Sequence, residues 1–150
     1  LAAAQEARGE LIEGLTAAIG TDDAWLSWLD GAQLSGRGAS AAAGRLAAEN
    51  DSTLQGGAQP TVVDGYPGYH VAIETRYTVG RSIIPGTESR HAKAGATAVI
   101  EPRCSFAADA DPAKLVQLNC GGRLVDIDPE DFDSDDLPDP SVLFSVHLAE

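Results

Sequence analysis

The sequence predicts an α+β domain in which N-terminal helices pack on one face of a mostly antiparallel sheet of four to five strands. Three observations lead there. Apolar residues in the first fifty positions recur at i, i+3 and i+4, the helical period. From Tyr69 the period changes to two, with Val71, Ile73, Thr75, Tyr77 and Val79 alternating against His70, Ala72, Glu74, Arg76 and Thr78. Helices come first and strands follow, an order that segregates helices to one side of a sheet.

Residues 1–19 read as a helix with Leu11, Ile12, Leu15, Ala18 and Ile19 on one stripe. Gly9 and Gly14 each weaken it by roughly 1 kcal/mol relative to Ala, so it needs packing. Gly20 ends it, and Thr21 is expected to cap a second helix over residues 24–34, with Asp22 and Asp23 in its first turn. Trp25, Leu26, Trp28 and Leu29 fall mostly on one side of that helix and are expected in the core; exposed, the two tryptophans would mark a partner surface. Ser35-Gly36-Arg37-Gly38 breaks the chain. Residues 39–49 form a third helix, ended by Asn50, whose Ala42, Ala43, Ala47 and Ala48 admit a close neighbour.

Gly56-Gly57, Pro60 and Pro67 make residues 51–68 a loop with at most one edge strand. A strand over residues 69–79 leads through a long connection at Pro85-Gly86 to a second strand, residues 90–100. One face of the latter is Ala92, Ala94, Ala96, Ala98 and Ile100. So little apolar mass makes sense where a helix lies close against it. Residues 115–118 and 123–127 bracket Asn119-Cys120-Gly121-Gly122, a hairpin signal. Residues 141–148 close the chain as a strand, with Val142, Phe144, Val146 and Leu148 on one face.

The 150 residues fit one domain with a modest core. There are 23 acidic and 10 basic residues, a formal net charge of −13, so a basic nucleic-acid-binding face is excluded as an expectation. Ala accounts for 25 positions and aromatics for eight, which limits apolar burial. No run of apolar residues is long enough to span a bilayer. The opening Leu1-Ala2-Ala3-Ala4 reads as the tail of a longer helical segment, and a removed signal peptide or an upstream membrane helix would account for it.

Cys104 and Cys120, the only cysteines, fit a single structural disulfide, which closes a loop worth roughly 3 kcal/mol in the chain-entropy model. Such a bond implies an oxidising compartment; the alternative is two buried thiols in the cytosol. Residues 126–139 hold eight acidic side chains and no basic one. Asp131, Asp133 and Asp135 stand at the 1, 3, 5 spacing of a calcium loop, but Asp136 replaces the glycine at position 6 and Val142 the glutamate at position 12. A solvated acidic loop is the other reading of this run. His70, His91 and His147 show no HxH or HExxH spacing, and no GxSxG, GxGxxG or P-loop pattern occurs. A hydrolase would need His70 or His91 as base beside a nucleophile that no motif supplies. We therefore expect no enzyme and no cofactor.

The segment VGRSIIPGTESRHAKAGATAVIEPRC, residues 79–104, resembles actinobacterial TadG-related and TadE-like pilus assembly proteins, most specifically in PGTESRHA and EPRC. AAAQEARGEL, AAAGRLAAEN, the second Cys after LVQL, DIDPEDFDSDDLPD and LFSVHLAE extend the resemblance over most of the chain. It implies a minor-pilin-like fold: a membrane helix upstream of this chain, a helical stem within residues 1–50, and a β-rich extracytoplasmic head over residues 51–150. It also implies a structural or assembly role in a Flp-type pilus of the cell envelope, with other pilins or assembly proteins as partners. The DxSxS metal motif of the large TadG form is absent, and the family offers no catalytic residues to carry over. The rival expectation is a calcium- or ligand-binding extracellular adhesion module using the loop 126–139.

Overall fold

A computed structural model describes residues 1–81 and 83–150. Among them the fold is α+β. Helix α1 spans Ala2–Ala18 and α2 spans Ala39–Glu49, with a 3₁₀ turn at Trp25–Asp30 between them. Strands β1 (Ser52–Val63), β2 (Tyr66–Thr78), β3 (His91–Pro102) and β7 (Phe144–Leu148) form one antiparallel sheet in the order β1-β2-β3-β7. Strands β4 (Cys104–Ser105), β5 (Val116–Cys120) and β6 (Arg123–Ile127) form a second, smaller antiparallel sheet. A single helical turn, α3 (Pro140–Leu143), precedes β7.

Helix α1 forms where its stripe predicts, and the stripe is extended toward its start by small residues. Ala3, Ala4, Ala7, Leu11, Leu15 and Ala18 are all buried, and they join Tyr69, Ala98, Ile100, Leu143 and Phe144 in one core. Alanines bring the helix axis close to the sheet, and the leucines fill the wider end. Gly14 is not merely a weak helix former. A Cβ at that position would overlap the Trp28 indole, so the glycine makes room for the 3₁₀ turn to pack on α1. Trp25 is 1 % exposed, and its Nε1 donates to the Pro112 carbonyl at 2.8 Å, which ties the turn to the loop before β5.

The start of α2 is held from another helix. Gly38 is the N-cap and has no side chain to offer. The Glu10 carboxylate of α1 replaces it, accepting from the Gly38 N–H at 2.6 Å, the Arg37 N–H at 3.0 Å and the Ser35 hydroxyl at 2.6 Å. The breaker Ser35-Gly36-Arg37-Gly38 is thus an anion-accepting turn, and a carboxylate also suits the positive end of the α2 dipole. Burial acts to raise the Glu10 carboxyl, but the Ser35, Gly38, Arg37 and Gly36 hydrogen bonds outweigh it and hold the group below its ordinary value of 4.5.

Four expectations are corrected by the structure. Residues 51–68 are strand more than loop: the edge strand allowed there forms as β1, over Ser52–Val63 at the edge of the sheet, and turns into β2 at Asp64-Gly65, whose φ values of 52° and 86° suit a two-residue hairpin. Gly56-Gly57 breaks the register between Gln55 and Gln59 as a bulge without ending the strand, and the Ser40 hydroxyl of α2 accepts from the Ala58 N–H there. The second helix is only a six-residue 3₁₀ turn. Thr21 does not cap it, because its hydroxyl donates backwards to the Ala17 and Ala18 carbonyls, while Asp22 accepts from the Ala24 N–H. The last strand begins at Phe144, because Asp139 caps a helical turn started by Pro140. Finally, Ala92, Ala94 and Ala96 are exposed; the helices cover β3 only toward Ala98 and Ile100.

Two glycines in one helix separate propensity from packing. Gly9→Ala meets nothing within 4 Å and should raise stability by about 0.5–1 kcal/mol in urea unfolding. Gly14→Ala carries the same propensity gain but should lower stability by roughly 1–3 kcal/mol through overpacking against Trp28. A stabilised Gly14→Ala would contradict the packing described.

Glu10 yields a pH-dependent prediction. A carboxyl depressed on folding contributes stability above its unfolded value, and loses it as pH falls through the folded value. Wild type should therefore exceed Glu10→Gln in urea midpoint at neutral pH. The gap should close as pH falls below 4.5. A gap that stays constant with pH would show that the carboxylate charge is not what holds α2.

Candidate functional site

Cys104 and Cys120 are direct cross-strand partners in β4 and β5 and are joined by a disulfide. Cys120 is buried in the core, and the bond ties β5 to β4, which follows the end of β3 by one residue. Asp131, Asp133 and Asp135 lie in the acidic segment, and all three are exposed. Of the three, the Asp133 side chain caps the backbone, with Asp136 as its partner. Asp133 Oδ1 accepts from the Asp135 N–H at 2.9 Å, and Asp136 Oδ2 accepts from the Asp133 N–H at 2.9 Å. Asp128 and Asp139 likewise accept from backbone N–H groups two residues ahead. No group of three or more His, Cys, Asp or Glu side chains converges for a metal among the described residues. Asp133 and Asp136 make the capping box of a 3₁₀ turn at Ser134–Asp136.

The histidines sit apart on β2, β3 and β7. His70 Nδ1 meets Thr97 Oγ1 at 3.0 Å, and His91 Nδ1 meets the Thr75 carbonyl at 2.7 Å. His147 faces Glu101 at 3.8 Å. Glu101 is the hub of a polar cluster: it accepts from the Tyr66 hydroxyl at 3.2 Å and from the Ser145 hydroxyl at 3.4 Å. The Glu101 charge raises the Tyr66 phenol above its ordinary value. Ser145 and His147 both address the same carboxylate rather than each other. The serine–histidine hydrogen bond that activates a nucleophile is not made here.

The surface is more informative. Between α1, α2 and the middle of β2 and β3 lies an open groove of about 380 Å³. Its walls are Leu1, Leu46, Ala47, Val71, Ile73, Ala94 and Ala96, with Asn50 as the polar member. It exists because α1 and α2 stop short of the exposed part of the β3 alanine face. Leu1 and Leu46 are about half exposed at its rim. Beyond it, β2 and β3 run on past the start of β1, which pairs only as far as Ser52 with Thr75, and form a two-stranded ribbon. Its tip carries Val79, Ile83 and Ile84, exposed by 54 %, 100 % and 62 %. Arg76, Arg81 and Arg90 lie in the same stretch of chain, and none of the three joins an ion pair among the described residues.

Sequence reasoning passed over both features. The alanine alternation of β3 was the signal for the groove, and Ile83-Ile84 beside Pro85 in a polar connection was the signal for the tip.

No protein-family model, curated protein or solved structure matches this chain.

The cap geometry makes a calcium prediction. Calorimetric titration with millimolar calcium should give no saturable heat, since Asp133 and Asp136 are engaged by backbone N–H groups. Saturable heat abolished by Asp131→Asn and Asp135→Asn would establish the calcium reading.

Proposed function

We propose that this chain is the extracytoplasmic head of a structural or assembly component of a Flp-type, tight-adherence pilus system, held in the cell envelope by a membrane helix upstream of residue 1. No helix among the described residues is long and apolar enough to cross a membrane. The observation that carries this reading is the groove. Its walls are almost wholly aliphatic, which suits an apolar protein segment such as a pilin stem rather than a polar substrate. The segment that most resembles TadG-related proteins runs through the ribbon, the groove strand β3 and Cys104. The Cys104–Cys120 bond supports an oxidising compartment. Partners on this reading are other pilins or pilus assembly proteins.

The test is made in the source cells. A photo-crosslinking residue at Leu46, on the groove rim, should capture pilins or pilus assembly proteins, identified by their peptides. In the same cells the full-length protein should fractionate with membrane or filament and have no thiol reactive before reduction. A soluble cytoplasmic protein with two free thiols would overturn the reading.

A further inference from the structure

The ribbon that β2 and β3 form beyond β1 is graded along its length. Its end carries Ile83, wholly exposed, followed by the exposed Ile84. Behind them come Arg81, two residues before Ile83, and Val79, whose N–H donates to the Arg90 carbonyl at 2.8 Å. Tyr77 is exposed one step nearer the sheet. Arg76 stands at the base, its N–H on the Asp51 carbonyl. Residues 76–91 thus hold Arg76, Arg81 and Arg90 against one acid, Glu88, whose carboxylate accepts from the Gly86 N–H at 3.0 Å. All three arginines are exposed. Lys93, nearer the sheet, is taken up by Glu74 at 3.7 Å.

The rest of the chain has the opposite sign. Outside residues 76–91 it holds seven bases and 22 acids. The densest acidic run, residues 126–139, is far from the ribbon. Ala2 and Ala3, at the start of α1, share a groove with Ala94 and Ala96, just below the ribbon. Past the other end of α1, Gly20 packs against the Pro129 carbonyl, inside the acidic run. α1 is 17 residues long, so roughly 25 Å separate the two places at helical rise. That is about three Debye lengths at physiological salt, so those acids do little to cancel the field of the ribbon's arginines.

We propose that the ribbon tip seats in the surface of an anionic lipid bilayer, with Ile83 and Ile84 among the acyl chains and Arg81, Arg90 and Tyr77 at the level of the phosphates. The order along the ribbon, aliphatic then cationic and aromatic, matches the order of layers in a bilayer surface. Aliphatic side chains gain by entering to about 5–10 Å. Guanidinium groups donate paired hydrogen bonds to phosphate oxygens, and tyrosine rings favour the interface. An anionic surface repels the acidic body and admits the ribbon end first, so charge fixes the orientation as well as the partner. One tip binds weakly, and its hold grows where the chain is already kept near the bilayer. An anchor upstream of residue 1, as in the pilus reading, would leave from the same end of the sheet. The inference stands on the ribbon alone, and its failure would leave that reading to its own test.

Vesicle binding of the 150-residue chain tests it. Wild type should float with phosphatidylglycerol vesicles at millimolar lipid and low salt, and not with phosphatidylcholine vesicles. Raising the salt to about 0.5 M should release it, because the steering charges are screened. Ile83→Trp reports depth: with phosphatidylglycerol brominated on its acyl chains, the fluorescence it adds to wild type should be quenched. Arg81→Gln with Arg90→Gln should weaken binding about 25-fold, at about fivefold for each cation near an anionic surface. Ile83→Ser with Ile84→Ser should weaken it roughly tenfold or more. Both double variants should melt as wild type does, because all four side chains are exposed. A wild type that stays free of phosphatidylglycerol, equal binding to phosphatidylcholine, an unquenched Ile83→Trp, or a serine variant that binds like wild type would overturn the proposal. So would self-association of wild type without lipid that the serine variant loses, which would assign the tip to a second copy instead.

Discussion

The fold depends on how closely α1 can lie on the sheet. Ala3, Ala4 and Ala7 are essentially without exposure, and with Leu11 and Leu15 they make a narrow stripe that seats the helix on Tyr69, Ala98, Ile100 and Phe144. A chain with 25 alanines and eight aromatics has few bulky side chains to spend on a core. Close approach compensates, because dispersion contacts accumulate when backbones are near. The remaining large side chains, Trp25, Leu29, Leu143 and Phe144, then fill what the alanines leave.

From that seating the neighbouring elements follow. α1 delivers Glu10 to the start of α2, where the carboxylate caps a helix that has no cap of its own. α2 in turn lies on β1, and Ser40 binds the bulge there. At the other end Trp25 reaches Pro112, and the disulfide ties β5 to β4, which follows the end of β3 by one residue. The helices that make this core are too short to cover the sheet. The uncovered alanine face becomes a groove, and the strands that outrun β1 become a ribbon. The groove and the ribbon are consequences of a core built largely from alanines.

Much of the fold was legible. The stripe of α1, the bounds of α2 at Ala39–Glu49, the period-two run of β2 and the Gly121-Gly122 hairpin all form as local pattern dictates. Errors arose where one local signal masked another. Gly56-Gly57, Pro60 and Pro67 read as breakers, yet Asp64-Gly65 between Val63 and Tyr66 is a strong hairpin signal and prevails. Thr21 has a capping side chain, but its hydroxyl finds the preceding helix's carbonyls instead.

The sequence by itself determined the class of fold, the helix and strand periods, the acidic balance and the presence of two cysteines able to pair. Those properties are local or additive, and each is written in neighbouring residues. Only the tertiary structure decided that Glu10 caps α2, that Gly14 admits Trp28, and that the β3 alanines stay open. These depend on distances between residues far apart in the chain, set by how near α1 lies to the sheet. No window of the sequence contains that distance.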